Sequence, residues 1–297
     1  VTTADEHAER FTLLRPLLFT IAYEILGSAT EADDVLQDGY LRWATVDLDE
    51  VRDTKAYLAQ LVTRQALNTL RSQARRREDY VGPWLPEPLL LDERDAATDV
   101  VLAESVSMAM LVVLETLTPD ERAVFVLREV FGFSHDEIAA AVGKSTAAVR
   151  QISHRAREHV HARRRRFEPL DPQQSEQITM QFLLAAATGD VDGLMGMLAP
   201  DVVFTSDSDG KASSARRPVL GPDKVARFII GLFRQATPEY RIEAANYNGA
   251  PALVVYRGEV PESVMTIEIT DGTITNFYAM RNPEKLAAVT VRREISR

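Results

Sequence analysis

The sequence predicts two all-α helical domains followed by an α+β domain, and three observations carry this. Apolar residues recur at helical spacing through most of residues 8–163, with caps and glycine stops between the runs. Proline-bearing stretches at 82–88 and 169–172 interrupt the chain twice. Beyond the second, helices come first and short strands last, with Asp271-Gly272 marking a two-residue hairpin turn.

Bulk properties bound the function. With 45% hydrophobic residues in 297, packed cores are affordable. There is no Cys, so neither disulfides nor thiolate metal sites are expected, and a reducing cytoplasm is the simplest setting. No apolar run approaches the roughly 18 residues of a membrane span, and no secretory leader pattern opens the sequence. No cofactor, metal site or membrane contact is expected, and the free protein reads as a monomer.

In chain order, Phe11 to Leu26 is a helix stopped by Gly27. Ser28 or Thr30 caps the next, Glu31 to Trp43, which carries Asp33, Asp34, Gln37 and Asp38 on one acidic surface. That surface reads equally as a solvated face or as a docking face for a basic partner. Thr54 caps a long helix to about Arg77. On an ideal wheel its Gln60, Arg64, Asn68, Arg71 and Arg75 share one face, with Tyr57 and Trp43 near its start. Basic and amide groups beside aromatics suit a single nucleic-acid strand, although a solvated charged stripe reads the same way.

Residues 78–99 contain Trp84-Leu-Pro-Glu-Pro-Leu89 and read as an extended linker, part of it docked on a surface. Val101 to Leu117 returns to helix, and Thr118 then caps a helix with Pro119 at its first position. The stretch 133–157 reads as a helix-turn-helix. Ile138, Ala139 and Val142 give the first helix an apolar face, Gly143 makes the turn, and Ser145 caps the second helix. Val149, Ile152 and Ala156 fall on its inner side. The outer side presents Arg150, Gln151 and His154, with Thr146 in the first turn and Arg155 and Arg157 on the flanks, suited to base edges and phosphates.

The net charge of −10 is unusual for a DNA binder. Its distribution is informative: 60–77 holds five Arg and no acid, and 144–166 holds eight Lys/Arg against one acid. Basic stripes on an acidic body bind free duplex poorly, so a partner should supply much of the phosphate contact. In the last third, helices at Ser175–Thr188, Asp190–Leu198 and Gly221–Gln235 accompany strands near 201–206, 240–248, 251–258, 263–270 and 273–280.

Three stretches resemble an extracytoplasmic-function RNA polymerase sigma factor. They are Ala32-Asp-Asp-Val-Leu-Gln-Asp-Gly-Tyr-Leu-Arg42, the helix from Ala56 to Arg77, and Leu117-Thr-Pro-Asp-Glu-Arg-Ala-Val-Phe-Val-Leu-Arg128 leading into the helix-turn-helix. The resemblance implies sigma region 2 at 1–77, a linker at 78–99 and region 4 at 100–166. It implies that Asp33, Asp34, Gln37 and Asp38 meet the β′ clamp of core RNA polymerase. It further implies that Tyr57, Gln60, Arg64, Asn68, Arg71 and Arg75 take promoter −10 bases. The −35 contacts would be Thr146, Arg150, Gln151, His154, Arg155 and Arg157. Residues 175–286 resemble a SnoaL-like, NTF2-like cone, with a tail at 287–297. Trp84, Leu85, Pro86, Asp209, Gly210, Lys211, Asn282, Pro283 and Lys285 lie in stretches similar to those of the subgroup with this fused domain, and the implied role is regulation in cis. Changes at Asn282 or Lys285 are then expected to shift transcription more than folding.

The cone class also includes enzymes, and a cone can hold a small-molecule ligand. This domain has no His, and its acids and phenols (Asp207, Asp209, Tyr240, Tyr256, Tyr278) show no diagnostic spacing. The expected function is therefore a non-enzymatic sigma factor. The alternatives are a helix-turn-helix regulator working without polymerase, or a DNA-binding protein whose tail is a ligand-binding or cyclase/isomerase-like domain.

Overall fold

The computed structural model describes residues 3–91, 99–164 and 171–297, except for the side chains of 3–4, 74–78 and 172. These residues form two compact units that interleave along the chain. The first takes the chain up to Asp79, the stretch ending at Arg164, and Arg293–Arg297. The second takes Tyr80–Leu91 and the stretch ending at Arg292.

In the first unit, α1 (Thr3–Leu26) packs on both α2 (Ala29–Trp43) and α3 (Thr54–Glu78). Leu18, Ile21, Ile25, Leu36, Leu58 and Val62 are fully buried and come from apolar stripes of the three helices. Ser28, not Thr30, caps α2, accepting from Glu31 N. The expected Thr54 cap is corrected: Thr54 is already helical, and Asp53 accepts from Ala56 N. The expected single helix over 101–117 is two, α4 (Val100–Ser105) and α5 (Met108–Leu114). Ser107 makes the break, since its hydroxyl donates to Glu104 O and caps Met110 N.

α6 (Pro119–Phe125) opens on a complete capping box of Thr118 and Glu121 and continues as a wider π turn over Val126–Val130. α7 (His135–Val142) and α8 (Thr146–Arg163) follow, joined by Gly143 at φ 70°, a left-handed conformation that glycine adopts without a Cβ clash. Glu24 of α1 is fully buried. Its carboxyl accepts from Ser105 Oγ at 2.7 Å, and its backbone oxygen accepts from Arg122 Nε at 2.7 Å.

The second unit is a mixed α+β assembly. Helices α9 (Pro172–Thr188), α10 (Val191–Met197) and α11 (Pro222–Arg234) share one apolar core with the sheet, including Phe182, Leu194, Phe204, Ile229 and Phe277. The strands are β1 (Leu90–Leu91), β2 (Leu198–Asp207), β3 (Val219–Leu220), β4 (Tyr240–Tyr247), β5 (Ala250–Arg257), β6 (Val260–Thr270), β7 (Thr273–Met280) and β8 (Arg292–Arg293). Their order is linear, β3-β2-β7-β6-β5-β4-β1-β8. The β2–β7 pair is parallel, while β4 through β7 form an antiparallel meander. Register shifts in β5/β6 and β6/β7 mark bulges that bend strands locally. Asp271 (φ 50°) and Gly272 (φ 72°) make the expected hairpin turn. A short helix α12 (Pro283–Leu286) is capped by Asn282.

Candidate functional site

The outward face of α8 is set by packing on its other side. Val149, Ile152, Ala156 and Val160 are buried, and this leaves Arg150, Gln151, His154, Arg155 and Arg157 exposed. Arg150 and Gln151 have no side-chain partner among the described residues. His154 lies 3.6 Å from Glu158, with both side chains about 70% exposed, so the pair holds it weakly. Two flanking residues are already engaged. Arg157 donates twice to Glu129, at 3.1 and 2.6 Å, and Thr146 donates to Asp136 at 2.7 Å. Arg155 approaches Glu121 only to 3.9 Å. The free cationic and amide groups thus concentrate in the second turn of the helix, at Arg150 and Gln151.

The face of α3 is less free than its wheel suggests. Gln60 and Arg64 both donate to the backbone oxygen of Ala140 in α7, at 3.0 and 2.8 Å. Arg71 pairs with Asp120 of α6 at 2.6 Å, and Lys144 reaches the same carboxylate at 2.9 Å. Burial disfavours the charged form of Asp120, but these two hydrogen-bonding cations hold it below the ordinary carboxylate range. Asn68 is exposed and Tyr57 half-buried. Arg75 lies on α3, but its side chain is outside the described residues.

Trp43 is not available for base stacking. It is fully buried, donates from Nε1 to His7 O at 2.9 Å, and packs against the rings of His7 and Tyr57. Sequence counting saw an aromatic beside a basic helix and could not see that its indole closes the core. On α2, Asp34, Gln37 and Asp38 are exposed, but Asp33 is held by Arg15 at 3.2 Å and by Arg293 at 2.7 Å. The Arg293 segment is further fixed by buried Ile295 and by Ser296 N donating to Thr20.

In the second unit, three stretches far apart in sequence meet at one carboxylate. Asp207, fully buried at the end of β2, accepts from Tyr80 OH at 2.5 Å, Leu85 N at 2.7 Å and Lys285 Nζ at 2.8 Å. Lys285 also donates to Leu85 O at 2.7 Å, and its ammonium lies 3.1 Å from the centroid of the Trp84 ring. Asn282 donates to Tyr80 OH at 2.8 Å, while its own oxygen caps α12. Burial first, and then Asp207, push the Tyr80 phenol far above its ordinary value. Asp209 accepts from Val81 N at 3.1 Å, and Lys211 bridges Asp209 and Glu284 at 2.8 and 2.9 Å. Gly210 has φ 67°, and a Cβ there would come within 3.3 Å of Val81. Leu85, Pro86 and Leu89 are buried, and Leu89 exchanges hydrogen bonds with Asn248.

The residues expected to be regulatory are therefore neighbours. Both oxygens of Asp207, one of the acids named above, are occupied by structural partners. Tyr278 donates to Glu268, and Arg241 and Arg257 stack over Tyr256 and Tyr240. Among the described residues no His/Asp/Glu group could hold a metal ion, and no helix is long and apolar enough to cross a membrane.

Comparisons with known proteins agree with the helical part of this picture. The family described as Sigma-70 region 2 matches residues 11–76, and that described as Sigma-70, region 4 matches 107–160. The chain is 39% identical to the ECF RNA polymerase sigma factor SigJ of Mycobacterium tuberculosis, covering 93% of this chain and 91% of that protein. It is 29% identical to the probable ECF sigma factor SigI of the same species, over 92% of both. The crystal structure of M. tuberculosis SigJ superposes with a TM-score of 0.75 at 34% identity, covering 96% of this chain and 99% of that one.

Proposed function

This chain belongs to the extracytoplasmic-function RNA polymerase sigma factors and directs promoter recognition, and from that premise we propose how its residues divide the work. Asp34, Gln37 and Asp38, joined by Asp33, dock α2 on the polymerase β′ clamp. Arg150, Gln151 and His154 read the −35 major groove, with Thr146, Arg155 and Arg157 on the adjacent backbone. Tyr57, Gln60, Arg64, Asn68, Arg71 and Arg75 receive the opened −10 strand. The observation that carries this reading is the outer face of α8, where cationic and amide groups stand unpaired beside a well-packed inner face.

Engagements within the chain must be exchanged for partner contacts. Gln60 and Arg64 must leave Ala140 O, and Arg71 must leave Asp120. Contacts of this kind contribute roughly 1 kcal/mol each, somewhat more when charged, so promoter phosphates and polymerase can compete for them. Asp33 must likewise leave Arg293, which gives residues beyond Asn282 a direct physical route to regulation in cis. The second unit is read as a SnoaL-like cone. Its helices α9–α11 on one side of a bulged sheet, with the linker stretch Tyr80–Leu91 seated on it, support that reading. Its role is to hold the linker, not to turn over a substrate.

The test is binding of the purified chain to core polymerase, followed by run-off transcription from a promoter with −35 and −10 elements. Initiation should depend on the added chain. Absence of core binding would falsify the assignment.

A further inference from the structure

The second unit contains a cavity of about 290 Å³ whose lining includes none of the residues gathered at Asp207. Phe204, Phe228, Leu253 and Met265 line its apolar part. An apolar cavity of ~150 Å³ admits benzene, so this volume takes a body of about two fused rings. Two charges border it. Glu262 is paired with Arg257 at 3.6 Å. Arg281 has no carboxylate partner among the described residues: it donates to Ser213 O, and its buried Nε has no partner. A guanidinium on a cavity wall with no carboxylate beside it can still donate to a bound carboxylate.

We propose that this cavity is a binding site for a small organic anion, with an apolar body against Phe204, Phe228, Leu253 and Met265 and a carboxylate on Arg281. Ser213–Ala215 is the wall between this cavity and a second one, of about 410 Å³, that Val81, Gly82 and Pro83 also line. An occupant therefore borders the seat of the linker. The site does not depend on the polymerase reading, because binding is measured on the chain alone.

The experiment is isothermal titration of the full chain with 2-naphthoate and with neutral 2-naphthamide. Naphthoate should bind at least tenfold more tightly. Arg281→Gln should erase that preference and Arg281→Lys should retain most of it. Val255→Phe, which adds bulk to the cavity wall, should abolish binding of both probes. Circular dichroism confirms folding of each variant, and Arg281→Lys and Val255→Phe keep the test decisive if Arg281→Gln unfolds. Equal affinity for the two probes overturns the proposal, as does no heat with either. So does a naphthoate preference that survives in folded Arg281→Gln, or unaltered binding in folded Val255→Phe.

Discussion

Arg150 and Glu24 show two ways in which a single residue matters. Arg150 stands exposed on α8 and contributes little to the fold. A good base contact by such a side chain is worth about 1–3 kcal/mol. Arg150→Ala should lower transcription from a −35-dependent promoter roughly tenfold or more while leaving the affinity for core polymerase unchanged, as measured by run-off yield and by titration of core enzyme. Glu24 is the opposite case. Burial, only partly countered by Ser105 and Arg122, pushes its carboxyl up to about 8 from 4.5. The folded protein then keeps a proton that the unfolded chain gives up within this window. Its contribution is complete below about pH 4.5 and is lost as pH rises through about 8. Thermal unfolding from pH 5 to 9 should show stability falling toward alkaline pH by a few kcal/mol, and Glu24→Gln should flatten that slope. An unchanged slope in the variant would place the titration elsewhere.

Elements were legible where the signal was local. The helix-turn-helix, the Thr118 cap followed by Pro119 and the Asp271-Gly272 hairpin each lie within one continuous stretch, and the structure has all three. The outer face of α8 was legible for the same reason, because a helical wheel needs only spacing. The break at Ser107 was missed because a continuous apolar stripe hides a cap inside it. The convergence on Asp207 was not legible, since Tyr80, Asp207 and Lys285 are joined by folding and not by any period. It also corrects an expectation about Lys285. With a side chain 6% exposed and paired to a fully buried carboxylate, Lys285 is a folding residue first. Removing one member of such a pair typically costs about 3–5 kcal/mol. Lys285→Met should therefore lower the unfolding midpoint strongly, and adding Asp207→Asn should recover part of the loss. A double-mutant cycle by chemical denaturation measures the coupling. Transcriptional effects of Lys285 variants have to be separated from that loss of stability.

At the scale of the molecule, the first unit keeps several of the groups proposed to meet nucleic acid occupied. Arg71 and Lys144 share Asp120, and Gln60 and Arg64 share one backbone oxygen. Asp120→Asn should free Arg71 and raise affinity for a single-stranded −10 oligonucleotide a few-fold, with a steeper dependence on salt, as read by fluorescence anisotropy. Arg293→Ala should free Asp33 and strengthen core polymerase binding by a similar factor. No change in either measurement would mean that these contacts do not restrain the protein. These engagements could not be read from the sequence, because each joins faces that wheels show only as exposed and charged.

The interleaving of the two units also sets an order of events during synthesis. Tyr80–Leu91 leaves the ribosome long before the residues that bury it, Asp207, Asn248 and Lys285, have been made. At ordinary elongation rates the roughly 200 intervening residues take about 10–40 s. Through that interval Leu85, Leu89 and Leu91 have no seat, and the helix-turn-helix is made well before the interval ends. A newborn chain therefore passes through a stage in which every helix of the first unit has been made and the segment Tyr80–Leu91 is still free. Completion of Lys285 ends that stage.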